Sequence, residues 1–450
     1  MKPEIKYKGS IKLSAIGDAL GWITEFEKNS NSILEKYGTD SISKFYSWKK
    51  NVGGRFYGYV DNIKPGSYSD DTQLLLAVAR CIHSNGEVNN NHFAKIELPN
   101  WLDYARGGGR TVKAAAKKIQ RKSVNWNSNF YSFKSNNEIV NYKQSGANGA
   151  AMRVLPIALA NIGNVEKIKE EIFCNSIITH GHPRAIIGAM LYGYAINQII
   201  ILRPENFKWE NYIKLIGQDF LEKFDLSKFK RVEIIDWINL WNNSSDLKFQ
   251  EVYNSTLNET QNLLRYIYQS LKNNTNSYET LNKIGSFAPT SKGSGVVTVI
   301  AGIYLANKYC NEPLEGIIEA VNAFGSDTDS IAAFTGGLLG ALHGQSIIPE
   351  TWKNVQDVDY LDKISEILLS ISEDRYVPAN IKLDKKYSIL NCPQIDNFTV
   401  EQEIEFVPLG KGIINSIDRQ PTLTKGKYTL LIEAKLDIGQ TIIVSKIFDE

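Results

Sequence analysis

The chain has 450 residues, 43% of them hydrophobic, which is enough to bury a substantial core in one large domain with a smaller one beside it. Its 51 basic and 49 acidic side chains nearly cancel, so there is no strong nucleic-acid signal and no general attraction to an anionic membrane. The cysteines at 81, 174, 310 and 392 form no CxxC pair, which indicates neither a zinc cage nor a disulfide framework. With no secretory signal and no uninterrupted membrane span, we expect a cytoplasmic protein.

Apolar residues recur at helical spacing over most of the chain up to residue 372. The clearest predicted helices, in chain order, are 11–25, 72–83, 112–119, 185–199, 251–271, 296–309 and 331–342. Short polar or glycine-rich connectors join them, and no solenoid repeat is visible. We therefore predict an all-α helical bundle over residues 1–375.

The sequence pattern changes from helical to strand-like after residue 376. The segments 399–407, 412–417, 428–436 and 441–447 alternate in polarity, contain β-branched residues and are separated by turn residues. We predict a small β-rich C-terminal appendage over residues 376–450, of unknown role.

Two acidic motifs, Ser69-Asp70-Asp71-Thr72 and Ser326-Asp327-Thr328-Asp329-Ser330, each precede a strongly apolar helical segment. Such residues cap helix starts, because their oxygens accept from free backbone N–H groups. Adjacent carboxylates also repel each other, and two such clusters face to face would suit one or two hard divalent cations. The pattern alone leaves both explanations open.

Two glycine-containing loops precede predicted helices. Residues 145–149 lead into a helix predicted at 150–159, and Gly107, Gly108 and Gly109 stand next to Arg110. Such loops bring backbone N–H groups close to phosphate oxygens, although an ordinary turn or a hinge has the same composition. His180 and His182 have an H-x-H spacing that could bind zinc, but no cysteine accompanies them.

Five sequence islands, taken in order, resemble the ADP-ribosylglycohydrolase family, and the resemblance spans about residues 12–345. They are 17–25 (GDALGWITE), 69–72 (SDDT), 146–153 (GANGAAMR), 179–183 (THGHP) and 325–331 (GSDTDSI) with the following glycines. The resemblance implies an all-α fold with a dinuclear cation centre.

The resemblance also implies a ligand set for two Mg²⁺ (or Mn²⁺) ions. In this sequence it comprises Ser69, Asp70, Asp71, Asp327, Asp329 and Ser330. Thr72 and Thr328 are expected to orient carboxylates or cap helices.

Glu25 matches a family glutamate near the scissile bond, so we expect Glu25 and Asp71 to handle the proton. Expected substrate contacts are Asn148 and Gly149 for diphosphate or ribose and His180 for ribose; from the loop pattern we add Gly107, Gly108, Gly109 and Arg110. Arg153 is either a phosphate contact or part of a buried ion pair. An aromatic residue should stack on adenine, with candidates at 131, 133, 142 and 287.

The expected activity is metal-dependent removal of ADP-ribose from a macromolecule or conjugate. Two alternatives remain: another dinuclear-metal hydrolase acting on a nucleotide diphosphate, and a non-catalytic ADP-ribose reader. The linkage is open among arginine, serine, nucleic acid and a small molecule, and so is the oligomeric state.

Overall fold

The computed structural model describes residues 1–53, 58–135, 138–243, 247–376 and 387–449. In these ranges the chain is mainly helical, and each of the seven clearest predicted helices coincides with an observed one, although the first begins at Pro3. The α-helices are α1 Pro3–Thr24, α2 Ser30–Tyr37, α3 Asp70–Ala79, α4 Asn90–His92, α5 Leu98–Trp101, α6 Arg110–Ile119, α7 Leu155–Ala160, α8 Val165–Ser176, α9 Pro183–Ile199, α10 Trp209–Gly217, α11 Phe220–Lys223, α12 Val232–Asn243, α13 Phe249–Lys272, α14 Ser277–Lys283, α15 Gly295–Lys308, α16 Pro313–Val321, α17 Thr328–His343 and α18 Val358–Ser372.

The helix predicted at 150–159 is not continuous. A 3-10 helix covers Asn148–Arg153, and α7 begins afresh at Leu155. Pro156 explains the break, because it lacks a backbone N–H and favours the first turn of a new helix. The island at 146–153 therefore folds as a tight turn rather than as the start of an α-helix.

Helices α1 and α17 pack along a seam of glycines. A Cβ atom at Gly17 would lie 2.2 Å from the backbone of α17, and one at Gly21 would lie 2.5 Å from it. In the other direction, a Cβ at Gly336 or Gly340 would lie 2.1 or 2.2 Å from the backbone of α1. The two backbones thus touch, which brings the C-terminal end of α1 beside the first turn of α17.

The strands are grouped into two hairpins and one sheet. The hairpins pair β1 Trp48–Val52 with β2 Tyr59–Ile63, and β3 Ser132–Ser135 with β4 Glu138–Asn141. The predicted C-terminal β region is an antiparallel meander in the order β5-β6-β7-β8, formed by β5 Glu403–Phe406, β6 Gly410–Pro421, β7 Lys427–Leu436 and β8 Thr441–Asp449.

The C-terminal sheet contacts the helical part through buried polar bonds. Asp357, in the turn before α18, accepts from Lys435 Nζ at 2.7 Å and from Thr441 N at 2.8 Å. Arg80 at the end of α3 donates to Gln440 at 2.7 Å. The division of the chain at residue 375 stays a prediction, and part of the connection, 377–386, lies outside the described residues. Within the described ranges, the chain has no helix with the length and apolarity needed to span a bilayer.

Candidate functional site

The two acidic motifs meet in the fold at the first turns of α3 and α17. Asp70 and Asp71 begin α3, while Asp327 is the N-cap of α17 and Asp329 lies in its first turn. Ser330 Oγ donates a hydrogen bond of 2.7 Å to Asp71 Oδ2, although the two residues are 259 positions apart. The face-to-face arrangement that a shared cation site requires is present.

A cavity of about 380 Å³ opens at this junction, and among the described residues it is lined by five carboxylates. These belong to Glu25, Asp70, Asp71, Asp327 and Asp329. The other lining residues are Phe26, Lys50, Gly107, Gly108, Gly109, Thr111, Val112, Ala147, Asn148, Gly149, Met152, His180 and Ser330. Most residues predicted for the site thus share one cavity.

Two residues predicted for the site are not among those that line the cavity. Ser69 is fully buried, and its hydroxyl accepts from Asp71 N at 3.2 Å, which is the capping role of a residue before a helix. Arg110 is exposed at the first position of α6. Cation ligation by Ser69 and substrate binding by Arg110 stay predictions.

Asp18 and the two motif threonines hold the backbone around the cavity. The buried Asp18 carboxylate accepts from Ser69 N at 3.0 Å, Thr72 N at 3.0 Å and Thr72 Oγ1 at 2.6 Å. Burial raises the pKa of Asp18 to about 6, against the effect of these hydrogen bonds. Thr328 Oγ1 donates to the Gly21 carbonyl at 2.8 Å. Thr72 thus contacts a carboxylate and Thr328 ties the start of α17 to α1, while the expectation that neither binds a cation stays a prediction.

The carboxylates are held in conditions that disfavour their negative charge. Burial raises the pKa of Asp71 well above its usual value, and Asp18 and Asp70 add to the shift. Burial likewise raises the pKa of Asp329, with Glu25 and Asp327 as the nearest negative charges. Burial, followed by the charge of Asp327, raises the pKa of Glu25 to about 8. Among the described residues that line the cavity, one lysine faces five carboxylates, which is too little positive charge to balance the cluster.

The donor set fits a hard divalent cation. The acidic wall offers carboxylate and hydroxyl oxygens without a sulfur or ring nitrogen, which is the chemistry that Mg²⁺ and Mn²⁺ prefer. Among the described lining residues, Lys50 is the single ammonium group. A cation would relieve the repulsion among Asp70, Asp71, Asp327 and Asp329, so the residues present suit the predicted centre.

His180 lines the cavity beside Gly149. Its side chain is fully buried, and Nδ1 lies 2.8 Å from Thr179 Oγ1, while Nε2 has no partner among the described residues. Burial, then Arg153, lowers the pKa of His180 well below its usual value, so the ring is neutral. A Cβ at Gly149 would lie 2.9 Å from the imidazole, which explains the glycine there. A buried polar atom of this kind needs a partner from water or a ligand, and the contact between His180 and ribose stays a prediction.

Arg153 was predicted either to contact phosphate or to form a buried ion pair, and its contacts in the fold are of a different kind. Its guanidinium is fully buried and donates to Gly149 O at 2.7 Å, Asn175 O at 2.8 Å and Asn175 Oδ1 at 2.8 Å. It faces Phe93 at 5.1 Å and forms no ion pair with the described residues. Burial lowers its pKa to about 9. Arg153 therefore supports the 148–153 turn from inside the protein.

The glycine loop before α6 wraps the Asp70 carboxylate. Gly108 N donates to Asp70 Oδ1 at 2.6 Å, and a Cβ at Gly107, whose φ is +101°, would lie 2.4 Å from the same oxygen. Lys113 Nζ donates to the Gly107 carbonyl at 2.6 Å. Gly109 is the N-cap of α6 and has open space around its α-carbon. The loop thus fixes one acidic residue and leaves the N-terminal end of α6 at the cavity.

The cavity includes two prominent side chains that sequence reasoning missed. Phe26 is 57% exposed and follows Glu25, and Lys50 lies on β1. An aromatic next to a candidate catalytic glutamate was a usable signal for Phe26, whereas a lysine in a short polar strand gave none. The proposed adenine-stacking candidates do not line the cavity, namely Tyr131, Phe133, Tyr142 and Phe287.

The histidines and cysteines offer no comparable centre. His182 Nδ1 accepts from Arg184 N at 3.1 Å and so caps α9, instead of sharing a site with His180. Cys81, His92 and Glu97 have potential ligand atoms within 4.8 Å of one another. None of the three lines the acidic cavity, and both Glu97 oxygens accept from Arg80 at 2.8 Å.

Fold and site together define a class: a mainly helical protein whose cavity gathers five carboxylates beside a buried histidine and glycine-rich turns. A family model described as ADP-ribosylglycohydrolase matches residues 1–378. The chain belongs to this family and is by class a glycosidic hydrolase.

Individual relatives are distant in sequence. An ADP-ribosyl-dinitrogen reductase glycohydrolase of Rhodospirillum rubrum is 27% identical over 188 residues, which are 41% of this chain and 55% of the relative, about half its length. The ADP-ribosylhydrolase ARH3 of Xenopus tropicalis is 24% identical over 77% of this chain and 90% of its own. A solved structure titled ADP-ribosylglycohydrolase-related protein complex has a TM-score of 0.53 and 17% identity, covering 82% of this chain and 99% of that one. The structural match supports the helical fold.

Proposed function

We propose that the protein hydrolyses the bond between ADP-ribose and a modified target, at C1″ of the distal ribose, with two Mg²⁺ or Mn²⁺ ions bound in the acidic cavity. The observation that carries this proposal is the meeting of both acidic motifs, Glu25 and His180 around one cavity of about 380 Å³. Family membership supplies the chemistry, and the arrangement of side chains supplies the roles below.

Asp70, Asp71, Asp327, Asp329 and Ser330 would hold the cations, with Ser69 as a further predicted ligand. When bound, the ions would supply charge to hold the ribose hydroxyls and to acidify a water molecule at the anomeric carbon. Hydrogen bonds from outside and within this set keep its carboxylates in place. Gly108 N fixes Asp70, and Ser330 Oγ fixes Asp71.

Glu25 is the proposed acid and base. It is the first residue after α1, and the glycine seam brings this end of α1 to the start of α17. Burial favours the protonated form of the Glu25 carboxyl, and Glu25 stands outside the proposed set of cation ligands, so its carboxyl is able to carry a proton. It can give that proton to the departing group and accept one from the attacking water, which keeps the hydrolysis balanced. Asp71 is the alternative proton acceptor.

The remaining wall is suited to ADP-ribose itself. His180 Nε2 can form a hydrogen bond with a ribose hydroxyl, and the neutral ring adds no positive charge to the cavity. Asn148 Nδ2 lies 3.3 Å from Asp327 Oδ2, so it links the acidic wall to the 148–153 turn. The N-terminal end of α6 at Gly109 and Thr111 is the proposed diphosphate site, since helix starts attract anions.

Product analysis of an ADP-ribosylated peptide, with and without chelator, tests the proposal. We expect free ADP-ribose with Mg²⁺ or Mn²⁺ and none after complete cation removal. AMP with ribose phosphate would instead identify a pyrophosphatase. Saturable ADP-ribose binding without turnover on any linkage would identify a reader, and undiminished turnover in the chelated protein would rule out the cation mechanism.

A further inference from the structure

Lys50 is a positive charge at the Glu25 end of the cavity. It lines the cavity together with Glu25 and Phe26. Its ammonium lies 4.7 Å from the centre of the Trp22 ring and 4.6 Å from the centre of the Phe26 ring. Two rings next to a cation hold it at a defined position and leave its N–H groups available.

The position of Lys50 is fixed by its hairpin. Trp22 is buried and packs edge-on against Trp48 with ring centres 5.1 Å apart. On the paired strand, Asp61 forms a two-pronged ion pair with Arg106, the residue before the glycine loop, at 2.8 Å. The hairpin that carries Lys50 is therefore anchored to two other walls of the cavity.

The Lys50 ammonium also has no competing partner among residues 1–53, 58–135, 138–243, 247–376 and 387–449. No hydrogen bond or ion pair ties it to a carboxylate there, in contrast to Arg106 with Asp61. With two divalent cations bound and the proton on Glu25, the four charged carboxylates balance the cations, and Lys50 gives the described lining one positive charge in excess. The occupied cavity would then offer no free negative charge to a cationic group.

We propose that Lys50 is a specificity-determining residue that excludes leaving groups with a positive charge, so that the preferred substrate carries ADP-ribose on a neutral or anionic group. This inference rests on the proposed function and on Glu25 being the proton donor, because the departing group must then stand beside Glu25, Phe26 and Lys50. A guanidinium there would meet the ammonium as a like charge. A hydroxyl or phosphate oxygen would be able to accept a hydrogen bond from it.

The test compares three leaving groups on the full chain with Mg²⁺: a guanidinium (ADP-ribosylarginine peptide), a hydroxyl (the matched serine peptide) and a terminal phosphate. For the wild type we expect kcat/KM for the arginine linkage to be lowest, by roughly 10- to 100-fold. K50E should shift the ratio toward the arginine linkage by a similar factor, and K50Q should lie between. K49E is the matched control, since Lys49 is exposed on the other face of β1 and should leave the ratio unchanged.

The outcomes separate the two proposals. A wild-type preference for the arginine linkage, or a K50E effect of equal size on all three substrates, would overturn the specificity role while leaving the glycohydrolase intact. Equal effects of K49E and K50E on the ratio would show a long-range charge effect and also overturn it. Failure to release ADP-ribose from all three substrates would overturn the proposed function, and this inference with it.

Discussion

Gly21 is the position at which one added methyl group should damage both the fold and the site. In G21A the new Cβ would lie 2.5 Å from Thr328 O and 2.6 Å from the Asp329 α-carbon. These are backbone atoms at the start of α17, so no side chain can rotate away. Because carbon contacts are comfortable at about 3.5 Å, the helices would have to separate locally by roughly 1 Å.

The change in the free energy of unfolding of G21A is the balance of two opposing contributions. Alanine favours a helix over glycine by about 0.5–1 kcal/mol, whereas overpacking of this kind costs about 1–3 kcal/mol. We expect a net loss of about 1–2 kcal/mol in the free energy of unfolding. The displaced residue is Asp329, and a misplacement of about 1 Å near reacting groups can lower activity by about 100-fold. Activity should therefore fall more than stability.

Chemical denaturation and single-turnover release of ADP-ribose, measured side by side, check this expectation. G217A is the matched control, because Gly217 ends α10 and a Cβ there would meet no atom within 4 Å. It should be neutral or slightly stabilising. An unfolding midpoint and a turnover rate in G21A that both equal those of the wild type would refute the idea that direct backbone contact positions Asp329.

Three further predictions concern the proton, the cations and the buried arginine. E25Q should lower kcat by about 10²- to 10⁴-fold while keeping the rise in melting temperature caused by Mg²⁺. E35Q, on the exposed face of α2, is the control. A normal kcat in E25Q would show that Glu25 is not the acid and base. In chelated protein, stability should fall as pH rises from about 4 to about 8: Asp18 and Glu25 have folded pKa values of about 6 and about 8, above their usual ones, so the folded state binds more protons in this window. Saturating Mg²⁺, worth about 2.7 kcal/mol at 100 times Kd, should therefore raise the melting temperature more at pH 8 than at pH 5, and a pH-independent increment would contradict the cation site. R153M should lower the free energy of unfolding by about 1–3 kcal/mol, because Gly149 O and Asn175 lose buried donors; an unchanged denaturation midpoint would argue against this supporting role.

Local patterns accounted for the elements and for the identity of most cavity residues. Long apolar runs located α1, α3, α9 and α17, which are buried on nearly every side in the fold, as expected of helices that are hydrophobic all round. Acidic and hydroxyl residues at helix starts indicated where α3 and α17 begin. The five-island resemblance and the glycine loop before α6 then predicted most of the cavity residues, although Ser69 and Arg110 do not line the cavity and Phe26 and Lys50 were missed.

Long-range packing decided the features that no local pattern carries. Ser330 and Asp71 meet because glycines let α1 and α17 touch and because Asp18 on α1 holds the start of α3. The residues next to a glycine in the sequence do not reveal which helix it will contact. The pKa of Glu25 depends on burial and on Asp327, which is far away in the chain. Lys50 resembles any surface lysine until the hairpin places it over Trp22. Residue chemistry is local, whereas distances, burial and charge balance arise when separate segments are brought together.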